Sequence, residues 1–142
     1  MNDHAGPEWG LSDRRRLLRV HDFPGKGRGV LAAEDIPAGT LIERAPVLII
    51  PDKDRAAVDP SIVFTYVFMW EHATVEEDLY KHSGRAGIAL GYVSLVNHSY
   101  APNADFIRHI DAQFIDLVAL RDIPRGEEIT IDYQMTLWFV PQ

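Results

Sequence analysis

Ser94-Leu95-Val96-Asn97-His98-Ser99-Tyr100-Ala101-Pro102-Asn103-Ala104 places small polar groups and a proline at the end of an apolar run, where a core would otherwise continue. Standing alone, the stretch has ordinary explanations. Asn97-His98-Ser99 matches the N-glycosylation acceptor, which belongs on a secreted surface, and nothing else in the sequence indicates secretion. A lone histidine such as His98 is more often a hydrogen-bonded structural residue than a base or ligand. Pro102 and Asn103 are common turn formers. The sequence on either side has to decide among these readings.

Moving outward, residues 88–96 are small and apolar, carry Gly91, and are expected to form a short buried segment that delivers Asn97. Downstream, Phe114-Ile115-Asp116-Leu117-Val118-Ala119 and Ile129-Thr130-Ile131-Asp132-Tyr133 read as strands. A repeat frames this middle region: Asp35-Ile36-Pro37-Ala38-Gly39-Thr40-Leu41-Ile42 matches Asp122-Ile123-Pro124-Arg125-Gly126-Glu127-Glu128-Ile129 in pattern. Proline fixes φ on entry and glycine frees the backbone on exit, so each copy should reverse the chain between strands. Two copies are too few for a solenoid and read as paired corners of one β domain.

The remaining segments are coarser. Residues 1–12 are rich in Gly, Pro, Asn and Asp and read as a flexible tail, with a single domain over 13–142. Leu17 to Val20 reads as a short strand, Pro24 to Gly29 as a glycine-rich turn, and Val30 to Ala33 as a second strand. Asp52 to Pro60 is a polar connection with room for one helical turn. Ile62 to Trp70 is rich in β-branched and aromatic residues and is expected to be a strand. Thr74 to Leu79 fits a short helix or a hairpin loop, and Trp138 and Phe139 close the chain as an apolar cluster.

A chain of 142 residues, 46% hydrophobic and 25% charged, has the size and composition of one compact domain. It contains no cysteine, which excludes disulfides, zinc–thiolate clusters and a cysteine nucleophile. Its apolar runs are too short to span a bilayer and its N-terminus lacks a signal-peptide core, so a soluble intracellular protein with no membrane role is expected. A net charge of −7 disfavours nucleic acid as a partner and favours a basic one. The run Arg14-Arg15-Arg16 reads as a solvated face.

Three segments in order, Gly27-Arg28-Gly29-Val30, Asn97-His98-Ser99-Tyr100-Ala101-Pro102-Asn103 and Gly126-Glu127-Glu128-Ile129-Thr130-Ile131-Asp132-Tyr133, resemble the SET-domain protein methyltransferases. The resemblance runs from about Arg19 to the C-terminus. In length and layout it is most similar to the minimal single-domain members of algal viruses and bacteria. A lone Gly-x-Gly is weak evidence; the second and third segments together are specific. The resemblance implies a mostly β fold of the SET-type β-clip architecture, with several small sheets, a C-terminal pseudoknot and little helix. Many short strands with Pro-Gly corners support the first part independently.

The resemblance also implies a cofactor, S-adenosyl-L-methionine, and a reaction, N-methylation of lysine in a basic or histone-like protein tail. By similarity, Lys26, Gly27, Arg28 and Gly29 approach the methionine end of the cofactor, with Arg28 or Lys26 facing its carboxylate. Asn97 through its side chain and His98 through its backbone hold the amino-acid portion and the adenine. Trp138 corresponds to an aromatic that stacks on adenine, with a core or interface aromatic as the alternative. Tyr133 corresponds to the hydroxyl where methyl and amine meet, with a half-buried strand tyrosine bonded to the backbone as its alternative, and Tyr66 to a second channel tyrosine, with a core aromatic in a strand as its alternative. The peptide would lie along a sheet edge as an added strand.

Departures from the family pattern carry expectations of their own. Cysteine-rich zinc flanks are missing, so channel closure falls to Gln134 to Gln142 or to a second subunit, and a homodimer is expected. Tyr100 stands where cysteine is common, and Leu137 where a close relative has a channel tyrosine. Ile131 and Phe106 are apolar where some relatives hold a water with tyrosine, which favours multiple methylation. An inactive peptide-binding or dimerisation module on the same scaffold is the alternative function. A hydrolase built from Ser99 or Ser94 with His98 and Asp105 is disfavoured because adjacent residues aim poorly for a triad. No firm metal-ligand spacing joins His98, Asp105, His109 and Asp111.

Overall fold

The computed structural model describes residues 16–70 and 85–133. Among these residues, nine strands make two sheets. β1 (Leu18–Phe23), β2 (Gly27–Ala32), β9 (Glu128–Ile131) and β6 (Asn97–His98) form one, in the order β1-β2-β9-β6. β4 (Val67–Met69), β5 (Ala86–Ala89), β3 (Leu41–Ile50), β8 (Phe114–Ala119) and β7 (Ala104–His109) form the other, in the order β4-β5-β3-β8-β7. One short helix, α1 (Arg55–Val58), and three 3₁₀ turns complete the described chain. The molecule is mostly β with little helix, as the sequence implied. The expected pseudoknot involves residues beyond Tyr133, outside those described, as do the N-terminal tail, Thr74 to Leu79, Leu137, Trp138 and Phe139.

β3 is ten residues long because it serves two partners in succession. Leu41 to Pro46 pair with β8, and Val47 to Ile50 pair with β5. Pro46, which has no N–H to give a ladder, falls at the point where the partner changes. β8 is buried along nearly its whole length. Ile115 and Leu117 face the core, while Asp116 on the opposite face is bound by Arg44 at 2.8 and 3.0 Å and by His109 at 2.9 Å.

The two Asp-Ile-Pro-x-Gly repeats meet in space. Ile36 and Ile123 exchange both backbone hydrogen bonds at 2.8 Å. The Asp122 carboxylate accepts the Ala38 N–H at 2.8 Å, and the Asp35 carboxylate accepts the Arg125 N–H at 2.8 Å. Gly39 N–H donates to the Ala119 carbonyl and Gly126 N–H to the Ala32 carbonyl, each carbonyl lying three residues ahead of the opposite aspartate. Each bond has a counterpart under exchange of the two copies. Gly39 and Gly126 hold φ of +83° and +88°, which side chains with a Cβ resist. Ile36, Ile42, Ile123, Ile129 and Ile131 are fully buried around this interlock, and each such side chain contributes about 1.5–3 kcal/mol by leaving water.

Several expectations need correction. Ile62 to Trp70 is not one strand: Ile62–Tyr66 is a 3₁₀ turn, and only Val67–Met69 is extended. Ser61 Oγ accepts the Val63 N–H at 3.2 Å and Thr65 Oγ1 donates to the Ile62 carbonyl at 2.7 Å. These hydroxyls offer the backbone local partners that compete with a ladder and override the β-branched composition. The glycine-rich turn is shorter than expected, because β2 already begins at Gly27. Residues 88–96 are not one buried segment; β5 ends at Ala89, Leu90 is exposed, and a 3₁₀ turn over Tyr92–Leu95 leads to Asn97. The single helical turn between Asp52 and Pro60 is present as α1.

Candidate active site

The site forms where β2, β6 and β9 lie side by side. β6 runs parallel to β9, with Asn97 beside Thr130 and His98 beside Ile131, and the Ser99 N–H continues the ladder to the Ile131 carbonyl at 2.9 Å. On the other side, β9 pairs antiparallel with β2, Val30 beside Ile129 and Leu31 beside Glu128. This register brings Gly29 against Asn97. A Cβ on Gly29 would stand 2.5 Å from Asn97 Nδ2 and 2.9 Å from Glu128 Oε2, so any larger residue would push these two side chains from their places.

The orientation of the Asn97 amide follows from its partners. Its Nδ2 donates to Glu128 Oε2 at 2.8 Å and to the Arg28 carbonyl at 3.3 Å. Both partners only accept, so the NH₂ must face them and Oδ1 is turned away as an acceptor. Lys26 Nζ binds the other Glu128 oxygen at 2.7 Å. The expected residues Lys26, Gly29 and Asn97 thus converge, but on Glu128, which the sequence reading did not single out. Arg28 contributes its carbonyl here, and its side-chain position on β2 is exposed. Gly27 has φ of +83° and no atom within 4 Å of where a Cβ would sit, leaving open space beside Lys26.

Tyr133 is held at both ends by the neighbours of Asn97. Its hydroxyl donates to the Val96 carbonyl at 2.8 Å, and its backbone N–H donates to His98 Nδ1 at 2.9 Å. Burial pushes the phenol up to about 12, with the Glu128 carboxylate and then Tyr66 adding to the rise, so it stays protonated. The same electrostatic coupling puts Tyr66 in the neighbourhood of Tyr133. Tyr66 ends a 3₁₀ turn, one residue before β4, and is half-buried.

His98 is fully buried as a side chain, between the rings of Tyr100 and Tyr133 at centroid distances of 4.4 and 5.1 Å. Burial holds its imidazole below the usual value, opposed by Asp132. Because Nδ1 already takes the Tyr133 N–H, it has no role as base to a serine. Ser99 Oγ accepts the Ala101 N–H at 3.0 Å and Ser94 Oγ donates to the Gly91 carbonyl at 2.8 Å, which removes the hydrolase arrangement. His109 pairs with Asp116 on the other sheet, and among the described residues no three metal-ligating side chains gather.

Two further residues support the site. Asn103 Nδ2 donates to Glu127 Oε2 at 2.7 Å and to the Glu128 carbonyl at 2.8 Å, while its Oδ1 accepts the Thr130 N–H at 2.9 Å. This turn former therefore clamps the segment after β6 onto β9. Glu43 accepts the N–H groups of Tyr92 and Val93, both at 2.8 Å, and so fixes the turn ahead of Asn97. Position in a motif could have drawn attention to Asn103 and Glu128; nothing local marks Glu43. Ile131 and Phe106 belong to the hydrophobic core.

Comparison with known proteins identifies the family. The SET domain family matches residues 27–134. A Schizosaccharomyces pombe protein named histone-lysine N-methyltransferase, H3 lysine-37 specific, is 34% identical over 126 residues, covering 88% of this chain and 78% of that protein. The Xenopus laevis N-lysine methyltransferase KMT5A-A is 30% identical over 125 residues, covering 82% of this chain but 36% of its own. Among solved structures, the Neurospora SET domain protein DIM-5, a histone lysine methyltransferase, superposes with a TM-score of 0.61 at 22% identity, over 88% of this chain and 55% of that one. At that identity the superposition speaks to the fold alone.

Proposed function

Since the chain belongs to the SET-domain family, we propose that it is an S-adenosyl-L-methionine-dependent protein-lysine N-methyltransferase acting on a basic, histone-like tail. The observation that carries this reading is the bracketing of Tyr133 by Val96 and His98, which ties the phenol to both sides of Asn97. A cofactor-holding amide and a reaction-centre hydroxyl are thereby one rigid unit.

The residues present fit the cofactor. Asn97 Oδ1, turned away from Glu128, suits an ammonium group, and Lys26, with three donors and one bond to Glu128, can also reach a carboxylate. Glu128 and Asp132 give the neighbourhood a negative field that favours a cationic ligand. When bound, the cofactor would supply an electrophilic sulfonium methyl to the lysine nitrogen. Tyr133, protonated at neutral pH, is an orienting group rather than a base: its proton goes to Val96, and its oxygen lone pairs can receive an amine N–H.

Deprotonating a lysine of ordinary pKa costs about 4 kcal/mol at about pH 7.5. Burial of the ammonium between aromatic side chains can lower that pKa by up to about 3–5 units and offset much of the cost. Holding amine and methyl face to face can supply a further ~7–11 kcal/mol. On this reading Tyr66, which ends its 3₁₀ turn, would be the second tyrosine of the lysine approach.

The test is incubation with methyl-labelled cofactor and a mixture of basic proteins, alongside calorimetry of cofactor binding. Tyr133→Phe should lower kcat by about a hundredfold or more while leaving binding nearly intact. Absence of cofactor binding by the folded protein would sink the proposal. Binding without transfer to any basic protein would favour the silent-module alternative.

A further inference from the structure

His98 holds a buried N–H that has no hydrogen-bond partner among the described residues. The Tyr133 backbone amide can only donate, so Nδ1 must be its acceptor, and the ring is neutral with its proton on Nε2. Nε2 is therefore the orphan. An imidazole kept in this tautomer gives up the hydration of one N–H in order to present Nδ1 to one backbone group.

We propose that His98 is a positioning residue for the reaction: its neutral ring, through Nδ1, holds the backbone of Tyr133 and so sets the phenol, and a proton added at Nδ1 releases it. The proposal rests on the methyltransferase reading for its link to catalysis, and on the His98–Tyr133 geometry for the rest.

The surroundings of the ring define what happens on protonation. Asp132 Oδ1 lies 3.8 Å from Nδ1, the one described carboxylate against it, and is half-exposed. Tyr100 presents its ring from the loop after β6, Tyr133 presents its ring from the segment after β9, and β9 itself brings Ile131 alongside in register. Two groups thus compete for Nδ1. The Tyr133 N–H needs it bare, whereas Asp132 would accept from it once protonated. Burial favours the first state and Asp132 the second, with burial the larger effect. The folded value lies below the ordinary 6.5, so the neutral arrangement is complete above that pH and fails as the pH falls through the lower, folded value.

The acid side of the rate profile separates this from a merely structural role. Deprotonation of the bound substrate lysine gives log kcat a slope of at most one proton at any pH. In the wild-type protein a second proton should steepen it to a two-proton slope below the His98 transition. Asparagine places Oδ1 near the position of Nδ1 and does not titrate. His98→Ala should lower kcat at about pH 8 by about a hundredfold, the order of loss for a reacting group displaced by about an ångström. His98→Asn should recover about tenfold of it and keep a slope of at most one proton throughout. In parallel, ¹⁵N spectra of the wild-type protein should show the Tyr133 amide moving with the His98 ring at a single midpoint. That readout needs neither turnover nor a folded variant.

A Tyr133 amide that does not follow the ring overturns the inference, as does a His98→Asn variant with an unchanged two-proton slope. If amide and ring move together but no methyl transfer is found, the methyltransferase reading falls and takes the catalytic role of His98 with it, while the coupling itself stands.

Discussion

The turn at Asp35-Ile36-Pro37-Ala38-Gly39 and the turn at Asp122-Ile123-Pro124-Arg125-Gly126 share a backbone down to individual hydrogen bonds, yet only the second leads into the site. After Gly39 the chain continues through Thr40 into β3 and the larger sheet. After Gly126 it continues through Glu127 and Glu128, which hold Asn103, Asn97 and Lys26, and then through β9 to Tyr133. The difference between a scaffold corner and a functional corner is therefore two carboxylates placed just past an otherwise equivalent turn.

The strongest way to break this equivalence is at its apolar centre. Ile36 and Ile123 are both buried and exchange their backbone bonds. Ile36→Ala and Ile123→Ala should each cost about 2–5 kcal/mol by urea unfolding, within about 1 kcal/mol of each other. A much larger gap would mean that the turns share hydrogen bonds without sharing load.

The glycines give a smaller and sharper test. Nothing lies within 4 Å of a Cβ at Gly39 or Gly126, so the cost of alanine there is conformational and should be about 1–2 kcal/mol in each turn. Function should divide what stability does not: Gly126→Ala, by shifting Glu127 and Glu128, should weaken cofactor binding in calorimetry several-fold more than Gly39→Ala. Equal weakening would erase the distinction.

The smallest effect is in pH. The Asn103 amide, and with it Arg121, holds the Glu127 carboxyl below its ordinary 4.5, while the matching position in the first turn is Thr40. With the folded value below the unfolded one, the contribution is complete above about pH 4.5 and is lost as the pH falls through the lower value. Glu127→Gln should flatten the acid-side fall in Tm slightly, and Thr40→Val should leave that slope as in the wild type.

Much of this comparison was legible in the sequence, because proline and glycine act on their own backbone and so mark a turn locally. The ordered motifs likewise pointed to Gly29, Asn97 and Tyr133. What was not legible depends on register between distant strands. Lys26 and Glu128 are 102 positions apart, and Asn97 and Glu128 are 31, so no window of sequence contains their contact. The family resemblance implies a backbone contact for His98; that its ring also accepts the Tyr133 N–H is visible only once β6 lies beside β9. Ile62 to Tyr66 was misread for the opposite reason, since the hydroxyls of Ser61 and Thr65 act locally but composition spoke louder.

The reciprocal clasp of the two turns also bears on the order of folding. Its side-chain bonds join residues 84 and 90 positions apart, so on a chain emerging from the ribosome the first turn waits, with Ile36 unsheltered, until the second has been made. Contacts of such long range are slow to form, because the loop must close before anything is gained. Residues 126–133 follow directly on that late partner, so among the described residues the candidate site should be the last part to assemble, and a stalled or unclasped chain would carry β-structure without it.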